Sequence, residues 1–283
     1  MPNDSRTSTW NRIDWQAVTR QVCALQARLV KAVKKEQWGS VRSLQRLLIH
    51  SMAAKLLAVR QVTSNHGKRT AGVDGILWNT PEAKYAAAQA LSPQGYHAKP
   101  LRRVWIPKHD GTRRPLGIPT MRDRAMQALY RLALDPIAEC QADPHSYGFR
   151  KGRSVSDAIA QCFTVLSHKG SAQWVLEGDI KSCFDNISHD WLTTHIPLES
   201  SVLHEWLRAG VIDDGVWNTT LEGTPQGGII SPTLCNMVLD GIQQRLEEHF
   251  SHQGSAIQRT VKIHFVRYAD EFIITGRTKA VLE

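Results

Sequence analysis

Lys262-Ile263-His264-Phe265-Val266-Arg267-Tyr268-Ala269-Asp270-Glu271-Phe272-Ile273-Ile274-Thr275 reads as a strand, a tight turn and a returning strand. Apolar and aromatic residues fill both arms, as a half-buried hairpin requires. Two carboxylates, Asp270 and Glu271, fall where the chain reverses. A second stretch, Trp174-Val175-Leu176-Glu177-Gly178-Asp179, is a strand that ends on a third carboxylate, and Ile180-Lys181-Ser182-Cys183-Phe184-Asp185 follows as a tight turn into a helix. From Gln173 onward short strands alternate with helices, the pattern of a mixed α/β sheet. The hairpin carboxylates are expected to face Asp179 at the end of a neighbouring strand.

That arrangement has a chemistry. Magnesium takes oxygen ligands, keeps part of its water shell, and is held by a few carboxylates together with substrate phosphates. Two such ions, about 3.5–4 Å apart, clamp the attacking and leaving oxygens of an in-line phosphoryl transfer. Three acidic groups on adjacent strand ends are the minimum for this. Taken singly, each is more simply a turn acid; only the combination points to metal chemistry.

Upstream lies a second hairpin. Leu101-Arg102-Arg103-Val104-Trp105-Ile106-Pro107-Lys108 reads as a strand, Asp110-Gly111 as its turn, and Arg113-Arg114-Pro115-Leu116-Gly117-Ile118-Pro119 as the return. Its three prolines exclude the middle of a sheet and predict an exposed hairpin. Five cations crowd this short segment: Arg102, Arg103, Lys108, Arg113 and Arg114. A helix carrying Met126, Leu129, Leu132 and Leu134 follows, and is expected to end before Pro136.

Two amphipathic helices open the chain. Trp15, Val18, Val22, Leu25, Leu29 and Val33 mark one apolar stripe; Val41, Leu44, Leu48, Met52, Leu56 and Val59 mark the other. Gly39 and Ser40 suit the break between them. A Gly-rich loop, Asn65-His66-Gly67-Lys68-Arg69-Thr70-Ala71-Gly72-Val73-Asp74-Gly75, comes next, and its glycines and cations suit close approach to a phosphate backbone. Ordinary turns look similar. Residues 81–91 resume a helical pattern.

Charge is unevenly placed. The net charge is +9, yet residues 1–70 hold 13 Lys/Arg against 3 Asp/Glu, so the remainder is near neutral. A concentrated basic field suits a polyphosphate partner held by salt-sensitive contacts, although a solvated helix face would look the same. The five cysteines are scattered, with no C-x-x-C pair, and read as buried free thiols. His189 and His195 lie in a helical stretch and read as structural or surface groups. No apolar run has the length of a membrane span, and the first ten residues lack a secretory signal's apolar stretch. These absences predict a cytoplasmic protein with no membrane partner.

Five stretches resemble, in family order, the blocks of reverse transcriptases of the group II intron-encoded (maturase) branch. Ile106-Pro107-Lys108 through Ile118-Pro119 resembles the fingers hairpin, and Ser146-Tyr147-Gly148-Phe149-Arg150-Lys151-Gly152-Arg153-Ser154 the block after it. Asp179 through Asp185 resembles the first catalytic block. Thr224-Pro225-Gln226-Gly227-Gly228-Ile229-Ile230-Ser231-Pro232 resembles the nucleotide- and template-positioning block. Tyr268-Ala269-Asp270-Glu271 resembles the Tyr-x-Asp-Asp hairpin. The N-terminal helices and Ala71-Gly72-Val73-Asp74-Gly75 resemble that branch's extension.

The resemblance implies an α+β, right-hand polymerase fold: a basic helical extension over residues 1–98, fingers over 99–170, and over 171–283 an incomplete palm, an antiparallel sheet with helices on one face. It implies a magnesium-dependent RNA-directed DNA polymerase using two Mg2+ ions, with Mn2+ as a substitute. Asp179 and Asp270 become the principal metal ligands, the Ile180 carbonyl assists, and Glu271 completes the catalytic acids. Phe184 becomes the steric gate against a 2′-hydroxyl. Lys108 and Arg114 become triphosphate ligands, and Gln226, shaped by Pro225 and Gly227, lines the nucleotide site. Lys68, Arg69, Arg150, Lys151 and Arg153 become nucleic-acid contacts. Implied partners are intron RNA, an RNA template with a DNA primer, and dNTPs.

Two departures qualify this. Glu271 stands where the family usually has Asp; its extra methylene moves the carboxylate by roughly a bond length, where placement must hold to about 0.5 Å. Weakened rather than abolished chemistry is expected. The sequence also ends at Glu283, just past the hairpin, so the rest of the palm and the thumb are expected to be missing or supplied by a complementary chain. A second reading is therefore an RNA-binding maturase fragment, or half of a split enzyme, with weak or no polymerase activity. A third, an RNA-templated RNA polymerase, is opposed by Phe184.

Overall fold

The computed structural model describes residues 7–107, 111–225, 227–251 and 261–283. Its helices are α1 (Thr7–Asn11), α2 (Trp15–Lys34), α3 (Trp38–His50), α4 (Met52–Ser64), α5 (Pro81–Ala90), α6 (Met121–Gln141), α7 (Val155–Leu166), α8 (His189–His195), α9 (Ser200–Leu207), α10 (Ser231–Leu239), α11 (Ile242–Ser251) and α12 (Lys279–Leu282). Its strands are β1 (Leu101–Pro107), β2 (Arg113–Ile118), β3 (Trp174–Asp179), β4 (Val211–Asp213), β5 (Val216–Asn218), β6 (His264–Tyr268) and β7 (Glu271–Gly276). Two compact units result: Met1–Cys140 with Phe184–Pro232, and Gln141–Cys183 with Thr233–Glu283.

In the first unit, Asp14 caps α2 by accepting the N–H groups of Gln16 and Ala17, each at 3.0 Å, and the helix buries Val22, Leu29, Ala32 and Val33. The expected break at Gly39 and Ser40 comes earlier. Glu36 adopts φ 54°, the N–H groups of Lys35, Glu36 and Gln37 fold back onto the carbonyls of Ala32 and Val33, and Gly39 lies inside α3. The expected second helix is two. Ser51 Oγ donates to the Leu48 carbonyl at 2.8 Å and accepts from Ala54 N at 3.2 Å, ending α3 and capping α4.

The helix after the basic hairpin does not stop at Pro136; α6 runs through it to Gln141. A helical proline leaves the carbonyl four residues earlier without its donor. Here that acceptor, the Leu132 carbonyl, is taken by Gln26 Nε2 at 2.8 Å. The predicted hairpin is β1–β2, with Trp105 opposite Pro115 and Ile106 opposite Arg114; residues 108–110 lie outside the described residues. It is part of a four-stranded sheet ordered β2-β1-β4-β5, in which β1 pairs with β4 only at Leu101 and Arg102. Both strand prolines thus avoid the central pairing.

The second unit holds an antiparallel sheet ordered β3-β7-β6. Val266 and Ile273 face Ala158 and Cys162 of α7, whose start is a capping box between Ser154 and Asp157. One residue along β6, Arg267 points to the opposite face. Phe272 lies over Gly178, where an added Cβ would sit 2.3 Å from its Cζ. Of the cysteines expected to be buried, only Cys183 and Cys235 are; Cys140 and Cys162 are intermediate, and Cys23 is exposed because it falls off the apolar stripe of α2. Among the described residues no helix is long and apolar enough to cross a membrane.

Candidate active site

The sheet of the second unit sets the three carboxylates in order. Asp179 ends β3 directly opposite Glu271, which opens β7 and in turn faces Tyr268, the last residue of β6. Paired residues share a face, so Asp179, Glu271 and Tyr268 lie in one row across the sheet. Asp270 occupies the turn after Ala269, whose φ of 58° lets the chain reverse in two residues. Ile180 N donates to the Asp270 carbonyl at 3.1 Å, tying the end of β3 to the turn.

Asp179 and Glu271 are exposed and Asp270 is half-buried. Among the described residues, none of the three side chains takes part in a hydrogen bond or ion pair. Three accessible oxygen-donor groups with unsatisfied charge suit magnesium, which coordinates through oxygen and retains water. Among the described residues no group of three or more His, Cys, Asp or Glu side chains is gathered closely enough to hold a metal by protein ligands alone. A metal held at these carboxylates would need further ligands from outside the protein.

Behind the turn is a buried network with no counterpart in the sequence reading. The Arg267 side chain is fully buried. It donates to the Ala269 carbonyl at 3.0 Å, to Asn236 Oδ1 at 3.1 Å and to Asp240 Oδ1 at 2.5 Å. Asn236 Nδ2 continues to the Gly148 carbonyl at 2.8 Å. Gly148 packs so closely that an added Cβ would lie 2.3 Å from Ala269 N. Burial pushes the Asp240 carboxyl up to about 6, Arg267 offsetting only part of that. The Cys183 and Cys235 sulfurs lie 3.5 Å apart. Their shared hydrogen bond, followed by burial, pushes the Cys235 thiol up. Asp270 and Asp179 both act electrostatically on Cys183, which puts the two carboxylates in one neighbourhood.

The first unit collects the residues expected around a nucleotide. Thr224 N donates to the Phe184 carbonyl at 2.7 Å, and Gly228 N to that of Pro225 at 3.0 Å. Gly227, at φ 114°, leaves no room for a side chain: its Cβ would lie 2.9 Å from the Gly117 carbonyl oxygen on β2. Gln127 of α6 is buried and accepts Ile229 N at 2.8 Å. Phe184, Pro225 and Gly227 are thus stitched together against the strand that carries Arg114, three residues before Gly117. Lys108 and Gln226 lie outside the described residues.

The nucleic-acid candidates divide. Lys68 and Arg69 are exposed on a short 3-10 turn whose flanking carbonyls, Gly67 and Thr70, accept from the buried Arg124. Arg150 donates to the carbonyls of Asp143 and Ser146 at 2.8 and 2.7 Å, and Arg153 to that of Pro144 at 3.0 Å. These two hold their own loop in shape, while Lys151 is exposed. Arg267 and Gln127 are single polar residues within apolar stretches, and that contrast was their sequence signal.

Helices, a basic hairpin and a carboxylate-bearing antiparallel sheet are the parts of an α+β polymerase, and the comparisons define the class. Residues 10–91 match the N-terminal domain of reverse transcriptase, and residues 106–283 match the reverse transcriptase (RNA-dependent DNA polymerase) family. The chain belongs to the reverse transcriptase family. Among its relatives, Protein YkfC of Escherichia coli (strain K12) is 35% identical over 261 residues, 80% of this chain and 68% of the relative. Group II intron-encoded protein LtrA of Lactococcus lactis subsp. cremoris is 38% identical over 192 residues, 65% of this chain and 32% of the relative. A solved "Partial Cas6-RT-Cas1--Cas2 complex" matches with a TM-score of 0.44 and 22% identity, over 83% of this chain and 38% of that one. The chain spans about a third of the length of the intron-encoded relative.

Proposed function

We propose that this chain carries the polymerase centre of a group II intron-encoded reverse transcriptase, adding deoxynucleotides to a primer 3′-hydroxyl on an RNA template. The observation that carries the reading is the register of Asp179 opposite Glu271 with Asp270 in the adjoining turn. In this reading Asp179, Asp270 and the Ile180 carbonyl hold Mg2+, with Mn2+ as a substitute, and Glu271 adds charge beside them. When bound, two such ions would activate the primer hydroxyl and stabilise the charge on the departing pyrophosphate. Phe184 closes the space beneath the sugar, so a 2′-hydroxyl is refused. Lys108 and Arg114 offset triphosphate charge. Pro225, Gln226 and Gly227 are assigned to aligning the nucleotide base.

Residues 1–98 are proposed as a basic extension that docks intron RNA, 99–170 as fingers and 171–283 as palm. Lys68, Arg69, Arg150, Lys151 and Arg153 are assigned to nucleic-acid phosphates, and splicing support and retrohoming to the complex with intron RNA. A cytoplasmic setting belongs to the same proposal. The basic bias of residues 1–70 favours a second reading, an RNA-binding maturase fragment with little polymerisation. Primer extension on an RNA template with dNTPs and magnesium, run beside Asp179→Ala, separates the two. Extension lost in the variant supports the polymerase. Salt-sensitive intron-RNA binding without extension, unchanged by Asp179→Ala, supports the fragment.

A further inference from the structure

The turn that presents Asp270 is held from below by a residue that takes no part in the proposed chemistry. We propose that Arg267 is a positioning residue for the Asp270 carboxylate, acting through the peptide immediately before it. The inference rests on the polymerase reading for what Asp270 does, but its geometry stands by itself.

The guanidinium reaches three acceptors at once: the Ala269 carbonyl at 3.0 Å, Asn236 Oδ1 at 3.1 Å and Asp240 Oδ1 at 2.5 Å. The first fixes the peptide plane leading into Asp270. The plane leading out is fixed by Ile180 N, which donates to the Asp270 carbonyl at 3.1 Å. Both peptides flanking the carboxylate are therefore pinned, one from β3 and one from Arg267. Arg267 is itself fixed: its N–H donates to the His145 carbonyl, and its carbonyl accepts from Tyr147 N, each at 2.9 Å. Asn236 closes the loop by donating to the Gly148 carbonyl at 2.8 Å, and Gly148 abuts Ala269 N. Carbonyl, turn and anchor thus form one closed circuit.

A stabilising role alone does not account for this choice. An apolar side chain of similar volume would fill the space without the cost of desolvating a charge. Nor is the guanidinium fully satisfied, since Nε has no hydrogen-bond partner. What a planar fork supplies is several donors in fixed directions, and lysine cannot reproduce it. Arg267→Lys keeps the charge beside Asp240 but offers its donors from a single nitrogen, whereas arginine serves Asn236 and Ala269 from Nη1 and Asp240 from Nη2.

The test measures metal and turnover separately, on the full chain. Mn2+ binding is followed by electron paramagnetic resonance, with the Asp179→Ala/Asp270→Ala double variant defining the site. Primer extension gives kcat and the KM for dNTP. Arg267→Lys, shown folded by circular dichroism and melting, is expected to bind Mn2+ about 10-fold more weakly, the scale for residues that orient ligands. Its kcat should fall with little change in KM. Asn236→Ala should move both readouts the same way by a smaller factor, and it decides the matter if Arg267→Lys does not fold. Mn2+ affinity and kcat within about two-fold of wild type in both folded variants would overturn the proposal, as would a wild-type chain that binds no Mn2+. A wild-type chain that binds Mn2+ through the two aspartates yet extends no primer overturns the polymerase reading alone, and the Mn2+ comparison still decides the role of Arg267.

Discussion

Gln26 on α2 donates Nε2 to the carbonyl oxygen of Leu132 on α6 at 2.8 Å, and Leu132 is the residue whose helical donor Pro136 removes. A long-range side chain thus supplies what the local sequence withholds. Gln26→Met, which keeps the volume but not the donor, should leave a part-buried carbonyl unsatisfied and cost about 1–2 kcal/mol. Pro136→Ala restores the backbone N–H, so in that background Gln26→Met should cost much less. Urea unfolding of the four proteins reads the coupling directly. Additive losses would mean the two residues do not share the acceptor.

This contact also shows where sequence reading stops. The stripe of α2 and the strands on either side of Asp179 and Asp270 follow local periodicity, so they are legible from the residues alone. The end of α6 does not, because Gln26 lies more than a hundred residues from Leu132. The split at Ser51 was legible in kind, since serine is a common cap, but nothing local distinguishes it from a serine on a helix surface. β4 and β5 had a signal in Asp214-Gly215, both at positive φ, the two-residue hairpin turn. Three-residue strands are too short to show alternation around it. The carboxylate row was readable because strand ends place it. The Arg267 circuit was not, because its partners come from Asn236 on α10, from Asp240 just beyond that helix and from the loop of His145 and Gly148.

Gly72 lies in the Gly-rich loop that suits either a phosphate backbone or an ordinary turn, and the close approach it permits is to the protein itself. An added Cβ would lie 2.7 Å from Thr120 Cα and 2.8 Å from Thr120 N, both backbone atoms that cannot rotate away. Gly72→Ala should therefore destabilise the first unit by about 1–3 kcal/mol, the range for forced overpacking. Thermal melting checks it. RNA affinity of the folded fraction should stay at the wild-type level; a fall in affinity with no change in melting would return Gly72 to a phosphate-contacting role.

Asp240 makes stability depend on pH. Its carboxyl, with Arg267, Asp143 and Arg150 around it, is pushed up to about 6 chiefly by burial. An acid raised above its ordinary value holds its proton more tightly folded than unfolded. Its contribution is full below about pH 4, falls as pH rises through 6, and is flat beyond, a total on the order of 3 kcal/mol. Asp240→Asn lacks this dependence. The unfolding free energy of wild type minus that of Asp240→Asn should therefore decline between about pH 4 and 7. A difference that rose over that window would mean Arg267 outweighs burial and keeps the carboxylate ionised.

Gly148 and Gly178 give a paired test of what the hairpin tolerates. An added Cβ would lie 2.3 Å from a neighbour at both positions, but the neighbours differ. At Gly178 the obstacle is the Phe272 ring, which can tilt about its own torsions. At Gly148 it is the backbone nitrogen of Ala269, part of a turn held at φ 58° by Arg267 and Ile180. That turn can yield only by moving Asp270. Gly178→Ala should cost stability and leave turnover per folded molecule within a few-fold of wild type. Gly148→Ala should depress turnover by about 100-fold, as a misplacement near 1 Å does at such centres. Primer extension normalised to folded protein by circular dichroism compares them. Turnover of Gly148→Ala within a few-fold of wild type would show that the tip of the hairpin moves without consequence for the carboxylate it carries.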